Sequence, residues 1–149
     1  MTRAATPRIS VRNLQRTISV DIVGLEKFAQ RAMKLCLELR PRERTELRQL
    51  PEIFVLIVSD RKIANLHRQF MNAPGATDVI TFQHGEIFIS ADMARRNART
   101  FGSSLRDELR LYVAHGLLHL HGFDDRDDRG RQEMETVQRK ILAKTGALK

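Results

Sequence analysis

Ile53-Phe-Val-Leu-Ile-Val58 is an unbroken run of apolar residues. A strand that is apolar at every position reads as a central strand buried on both faces, which requires covering layers on either side of a sheet. The rest of the chain offers them in an α/β order. Ile9–Leu14 alternates as a short strand. Val20–Leu39 carries Ile22, Leu25, Phe28, Ala29, Ala32, Met33, Cys36 and Leu37 at helical spacing and predicts an amphipathic helix. Arg40–Gln49 is a charged connection opened by Pro41. Beyond the central run, Ser59 or Asp60 can cap a helix over Arg61–Phe70, and Ala73-Pro-Gly-Ala76 is a loop. Asp78–Phe82 and Glu86–Ser90 read as two short strands joined at Gln83-His84-Gly85, with His84 a turn residue rather than a ligand. Helices follow over Ala91–Thr100, from a Ser103 or Ser104 cap onward, and over Gln132–Leu142. The expectation is one α/β domain of the α+β type over residues 1–149, a small mixed sheet of about four strands packed with about five helices.

Composition narrows the partners. The 149 residues include one cysteine, Cys36, which excludes an intrachain disulfide, fits a reducing cytoplasm, and reads as helix packing. With no cysteine cluster, any metal must be held by histidine and carboxylate. No apolar run is long enough to span a membrane, and no apolar signal segment follows the basic stretch Met1–Ser10. Residues 1–50 carry 11 Lys/Arg against 5 Asp/Glu, the remainder 15 against 13. That lopsided positive charge points to a polyanionic partner, nucleic acid ahead of an anionic membrane. With no Trp and one Tyr, stacking on bases would fall to Phe, His or Arg, and the phosphate backbone is the expected grip.

The chemistry concentrates in His115-Gly-Leu-Leu-His119, followed by Gly122 and the acidic residues Asp124, Asp125, Asp127 and Asp128. Histidines four apart on a helix share a face, with Cβ atoms about 5–6 Å apart. Both can reach one cation at about 2.0–2.1 Å. Gly122 stops the helix, and the acidic turn can fold a carboxylate back onto the same ion. The alternative is a surface histidine pair beside a solvated turn; the glycine stop and acidic turn favour the metal. Leu105, Leu109, Val113, Gly116, Leu117 and Leu120 form a core stripe, with Glu108, Tyr112, His115 and His119 on a neighbouring one. His121 lies about 200° round the helix from His119 and reads as exposed or as a partner of the acidic turn. A zincin protease carries a glutamate beside its first histidine as general base. That position is Gly116 here, which counts against peptidase chemistry by that route.

The string H-G-L-L-H-L-H-G-F-D resembles the H-G-x-L-H-L-x-G-Y-D-H motif of the YbeY family of bacterial rRNA maturation endoribonucleases. Upstream, Thr77-Asp-Val-Ile-Thr-Phe82 is similar to that family's T-D-V-L-S-F strand, and Gly85-Glu-Ile-Phe-Ile-Ser90 to its G-D-I-x-I-S strand. The resemblance covers roughly residues 50–130. It implies a zinc-like ion and endoribonuclease activity on single-stranded RNA, in maturation of the small-subunit (16S) rRNA 3′ end and in ribosome quality control. The implied partners are rRNA and the small ribosomal subunit.

Two departures stand out. The family's third ligand is a histidine where this chain has Asp125. Two histidines and one carboxylate are an accepted zinc set. The expected ligands are therefore His115, His119 and Asp125, with Asp124 as the alternative to Asp125. One Zn²⁺ per chain is expected, with Mn²⁺ or another divalent ion as an alternative that the anionic ligand makes more competitive. The family also has an arginine six residues before the threonine of T-D-V, where this chain has Met71; Arg68, one helical turn earlier, is the candidate RNA contact. These changes keep two other readings open: a ribosome-associated assembly factor with weak or no catalysis, and a metal-dependent hydrolase or peptidase.

Overall fold

The computed structural model describes residues 6–40 and 47–146, so parts of the basic stretch Met1–Ser10 and of the connection Arg40–Gln49 lie outside the described residues. In chain order the elements are β1 (Arg8–Asn13), α1 (Ile22–Glu38), β2 (Glu52–Val58), α2 (Asp60–Met71), β3 (Val79–Phe82), β4 (Glu86–Ser90), α3 (Ala91–Phe101), α4 (Leu105–Leu120) and α5 (Asp128–Lys144). The sheet order is β1-β2-β4-β3. β2 pairs in parallel with both β1 and β4, and β3 closes one edge antiparallel to β4. The sheet is mixed and the fold is α/β, as the alternation of patterns predicts.

The apolar run is the interior strand β2. Val11 stands beside Val55, and Val55 beside Ile87, so three parallel strands present one β-branched surface. On that face Ile53, Val55 and Ile57 are fully buried in the main core with α1 and α4. The other face differs from expectation. α2 packs on the β3–β4 side, where Ile63 and Leu66 cover Val58, Ile80 and Phe88. Phe54, nearer β1, stays half-buried with the Arg12 guanidinium 5.9 Å from its ring centre. A single short helix is too narrow to cover all four strands, so burial on both faces is complete only towards β4.

Side-chain caps fix the helix starts. Ser59 accepts from Lys62 N–H, Ser90 from Met93 N–H, Ser104 from Asp107 N–H and Asp127 from Gly130 N–H. The last cap explains why α5 begins at Asp128, four residues earlier than its apolar spacing predicts.

On α4 burial extends beyond the expected core stripe into the neighbouring one. Leu109, Tyr112, Val113, Ala114, Gly116, Leu117, Leu118 and Leu120 are all buried, and even Glu108 is, accepting a 2.7 Å hydrogen bond from the Ser103 hydroxyl. α1, α3, α5 and the sheet all pack against it. Gly116 lets it approach closely, because a Cβ there would lie 2.7 Å from Ile87 Cγ2. The two histidines thus ride on the most enclosed helix of the protein.

Candidate metal centre

The end of α4 is a Schellman turn, and that turn builds the site. Gly122 takes the left-handed conformation at φ 92°, its N–H bonding the His119 carbonyl at 3.1 Å while Phe123 N–H bonds the Leu118 carbonyl at 3.0 Å. An L side chain at 122 would be strained, so the glycine is needed for the reversal. The chain then doubles back over its own last turn. Phe123 is buried, and its carbonyl accepts from His119 Nδ1 at 3.1 Å. Gly130 completes the bend, because a Cβ there would run into the Asp124 carbonyl. The acidic turn is therefore pinned between α4 and α5.

His115, His119 and Asp125 come together, one ligand atom from each within 4.8 Å of the others. His115 Nε2 is 3.0 Å from His119 Nε2, and the Asp125 carboxylate oxygens lie 3.6 and 3.8 Å from these two nitrogens. Both opposite ring nitrogens are occupied. His115 Nδ1 donates to Gln138 Oε1 at 2.6 Å, and His119 Nδ1 to the Phe123 carbonyl. A carbonyl only accepts, so each neutral ring carries its proton on Nδ1 and turns the Nε2 lone pair towards the shared point. Two lone pairs 3.0 Å apart repel unless something cationic lies between them. The donor set fits a divalent ion bound at about 2.0–2.1 Å from each nitrogen. Burial lowers the pKa of His119, His115 adds to the effect, and Asp125 opposes it, so the neutral, ligating form is favoured.

The neighbouring residues sort clearly. Asp124, the alternative third ligand, is held elsewhere: its Oδ1 accepts from Arg126 N–H and its Oδ2 from the Arg126 guanidinium at 2.9 and 2.6 Å. These bonds hold its carboxyl below the ordinary range. His121 is not exposed. It is fully buried, and its Nε2 donates to the Leu39 carbonyl at 2.8 Å, tying α4 to the end of α1. His84 sits at the β3–β4 turn against Glu86, away from the cluster. Arg68 is exposed on α2 and bonds Asn65 at 3.0 Å; it is not on the wall of the cavity beside His115. That cavity, about 240 Å³, has Arg131 on its wall instead.

Gln138 was missed by reasoning from sequence. Its signal was a polar residue on the buried stripe Met134, Gln138, Ile141 and Leu142 of α5. A polar group in a core stripe needs a hydrogen-bond partner, and His115 is that partner.

The family model for endoribonuclease YbeY matches residues 10–146, which is nearly the whole described chain. The chain belongs to the YbeY endoribonuclease family. A YbeY endoribonuclease of Sulfurovum sp. is 35% identical over 146 residues, covering 89% of this chain and 87% of that protein. One of Bacteroides thetaiotaomicron is 39% identical over 103 residues, covering 64% and 75% respectively. The solution structure of TM1509 from Thermotoga maritima superposes with a TM-score of 0.64 at 27% identity, over 92% of this chain and 88% of that one. In this YbeY-family chain, no described helix is long and apolar enough to cross a membrane.

Proposed function

We propose that this YbeY-family chain is a single-domain, metal-dependent endoribonuclease. It cuts single-stranded RNA in maturation of the 16S rRNA 3′ end and in ribosome quality control, with rRNA and the small subunit as its cytoplasmic partners. The observation that carries this reading is the convergence of His115 Nε2, His119 Nε2 and Asp125, with both Nδ1 atoms committed to carbonyls. His115, His119 and Asp125 would hold one Zn²⁺, and the carboxylate makes Mn²⁺ a competent substitute. When bound, such an ion supplies Lewis-acid polarisation of a phosphoryl oxygen and a water of lowered pKa.

The chain's own contribution is orientation. Gln138 and the Phe123 carbonyl fix the two imidazole planes, as partners of ligating histidines generally do. Arg131, on the wall of the adjoining cavity, is placed to hold an RNA phosphate without reading sequence. Arg68, one turn before Met71 on α2, would grip the backbone farther along the strand. A peptidase reading gains nothing from the geometry, because the position beside His115 is a glycine pressed against Ile87.

Cleavage of single-stranded RNA by the purified chain, with and without chelator and beside His115→Ala, tests the proposal. Loss of cleavage in both arms supports it. Ribosome binding unchanged in His115→Ala, with no cleavage by the wild type, would instead make the chain an assembly factor.

A further inference from the structure

We propose that the cavity beside His115 is a nucleobase subsite for the nucleotide next to the scissile phosphate, and that it favours bases bearing an exocyclic amino group. The inference rests on the endoribonuclease reading and adds to it a base preference at the cut. The cavity encloses about 240 Å³, and His115 and Asp125 are part of its wall. A phosphate held at the metal cluster therefore brings an adjoining base to its mouth.

The lining suits a flat ring with a polar edge. Val79 and Leu111 give apolar sides, and the nearly inaccessible Met134 and Tyr112 close it off. Unstacked bases in single-stranded RNA are held in this way, by aromatic or apolar faces with polar groups at the ring edge. The polar groups here are unequal. Gln138 Oε1 is committed to His115, and the Tyr112 hydroxyl accepts from Asn97 Nδ2 at 2.7 Å. Gln138 and Tyr112 are themselves buried, so outside the metal cluster the more accessible polar side chains on the wall are the carboxylates Asp78 and Glu135 and the cation Arg131, whose guanidinium pairs with Asp128 at 3.2 Å. Asp78 is fixed at the wall, its Oδ1 accepting from Val79 N–H at 2.8 Å and from the Thr77 hydroxyl at 3.4 Å.

Ionised carboxylates only accept hydrogen bonds. Cytosine N4, adenine N6 and guanine N2 each offer an amino donor, and a carboxylate accepting from cytosine N4 is an established pairing. Uracil puts a carbonyl oxygen, O4, where cytosine has its amino group, and a carboxylate repels it; the one donor on that edge, N3–H, lies between two carbonyl oxygens. Arg131, on the same wall, supplies a cation for the sugar–phosphate backbone.

The test uses the full chain loaded with metal and short uridine oligonucleotides holding one central cytidine, adenosine, guanosine or purine riboside, the last being adenosine without its amino group. Cleavage is expected to concentrate beside the amino-bearing nucleotide, with kcat/KM about tenfold above the purine riboside and all-uridine substrates, the worth of one charge-assisted hydrogen bond. Asp78→Asn keeps an acceptor for Val79 N–H but adds a donor, and should move the preference towards uridine. Glu135→Gln, on the exposed side of α5, provides a second variant without risk to folding. Binding of AMP against purine riboside monophosphate is measured on the same samples. Selective AMP binding without RNA cleavage would support the subsite and refute the nuclease reading. Cleavage at every position at equal rates, with neither variant changing the pattern, would overturn the subsite and leave the nuclease standing. Equal binding of the two monophosphates would also overturn it.

Discussion

Gly116→Ala sets two opposed energies against each other at the centre of the protein. Alanine in a helix interior is favoured over glycine by about 1 kcal/mol. The new Cβ, however, would stand 2.7 Å from Ile87 Cγ2, 2.9 Å from Cδ1 and 3.1 Å from Cγ1. Ile87 is fully buried in β4, an interior strand, and its β-branched side chain has little rotamer freedom to yield. Overpacking of this kind costs about 1–3 kcal/mol. The contact lies below any ordinary carbon–carbon separation, so the upper part of that range applies and the net loss is about 1–2 kcal/mol. In a chain of this size that lowers Tm by roughly 2–8 °C. Urea unfolding monitored by circular dichroism reads it directly. A double-mutant cycle with Ile87→Ala isolates the cause. Ile87→Ala alone should cost about 2–5 kcal/mol, and the double variant less than the sum by about 1 kcal/mol, because the methyl at 116 fills part of the hole. Gly116→Ala as stable as wild type, or strict additivity in the cycle, would refute close α4–β4 packing as the role of this glycine.

Gln138→Leu should leave the fold intact and weaken metal affinity about 10–100-fold, because His115 Nδ1 loses its acceptor; competition against a chromophoric chelator measures this. Asp125→Ala should lose most of the bound metal while Asp124→Ala retains it, since Asp124 is occupied by Arg126; elemental analysis separates the two, and the opposite order would exchange the ligands. Burial pushes the Cys36 thiol up from 9.0 to about 12. The unfolded chain releases this proton near pH 9 while the native one keeps it, so native stability should fall as pH rises through 9 towards 12. The native thiol should also resist a disulfide reagent at pH 8 until urea exposes it, and rapid labelling of folded protein would contradict its burial.

The fold was legible wherever one local rule dominated. The apolar run marked β2, serine caps marked the starts of α2 and α4, and the left-handed Gly102 ended α3 at φ 70° as the Phe101-Gly102 break suggested. It was less legible wherever coverage from a distance decided. α4 reads as two-faced because its neighbours' positions are not written in its own periodicity. His121 reads as exposed because its partner, the Leu39 carbonyl, is 82 residues away in sequence.

The sequence by itself determined that His115 and His119 share a helix face, that Gly122 ends the helix, and that carboxylates follow at once. These are consequences of helical pitch and of glycine's access to positive φ, which act over a few residues. Only the tertiary structure decided which aspartate meets the histidines and which tautomer they hold. The turn directs Asp125 to the cluster while Arg126 claims Asp124, and α5 delivers the Gln138 carbonyl that sets His115. A ligand set depends on where lone pairs point, and that direction is fixed by hydrogen bonds between elements that the chain's local rules do not specify.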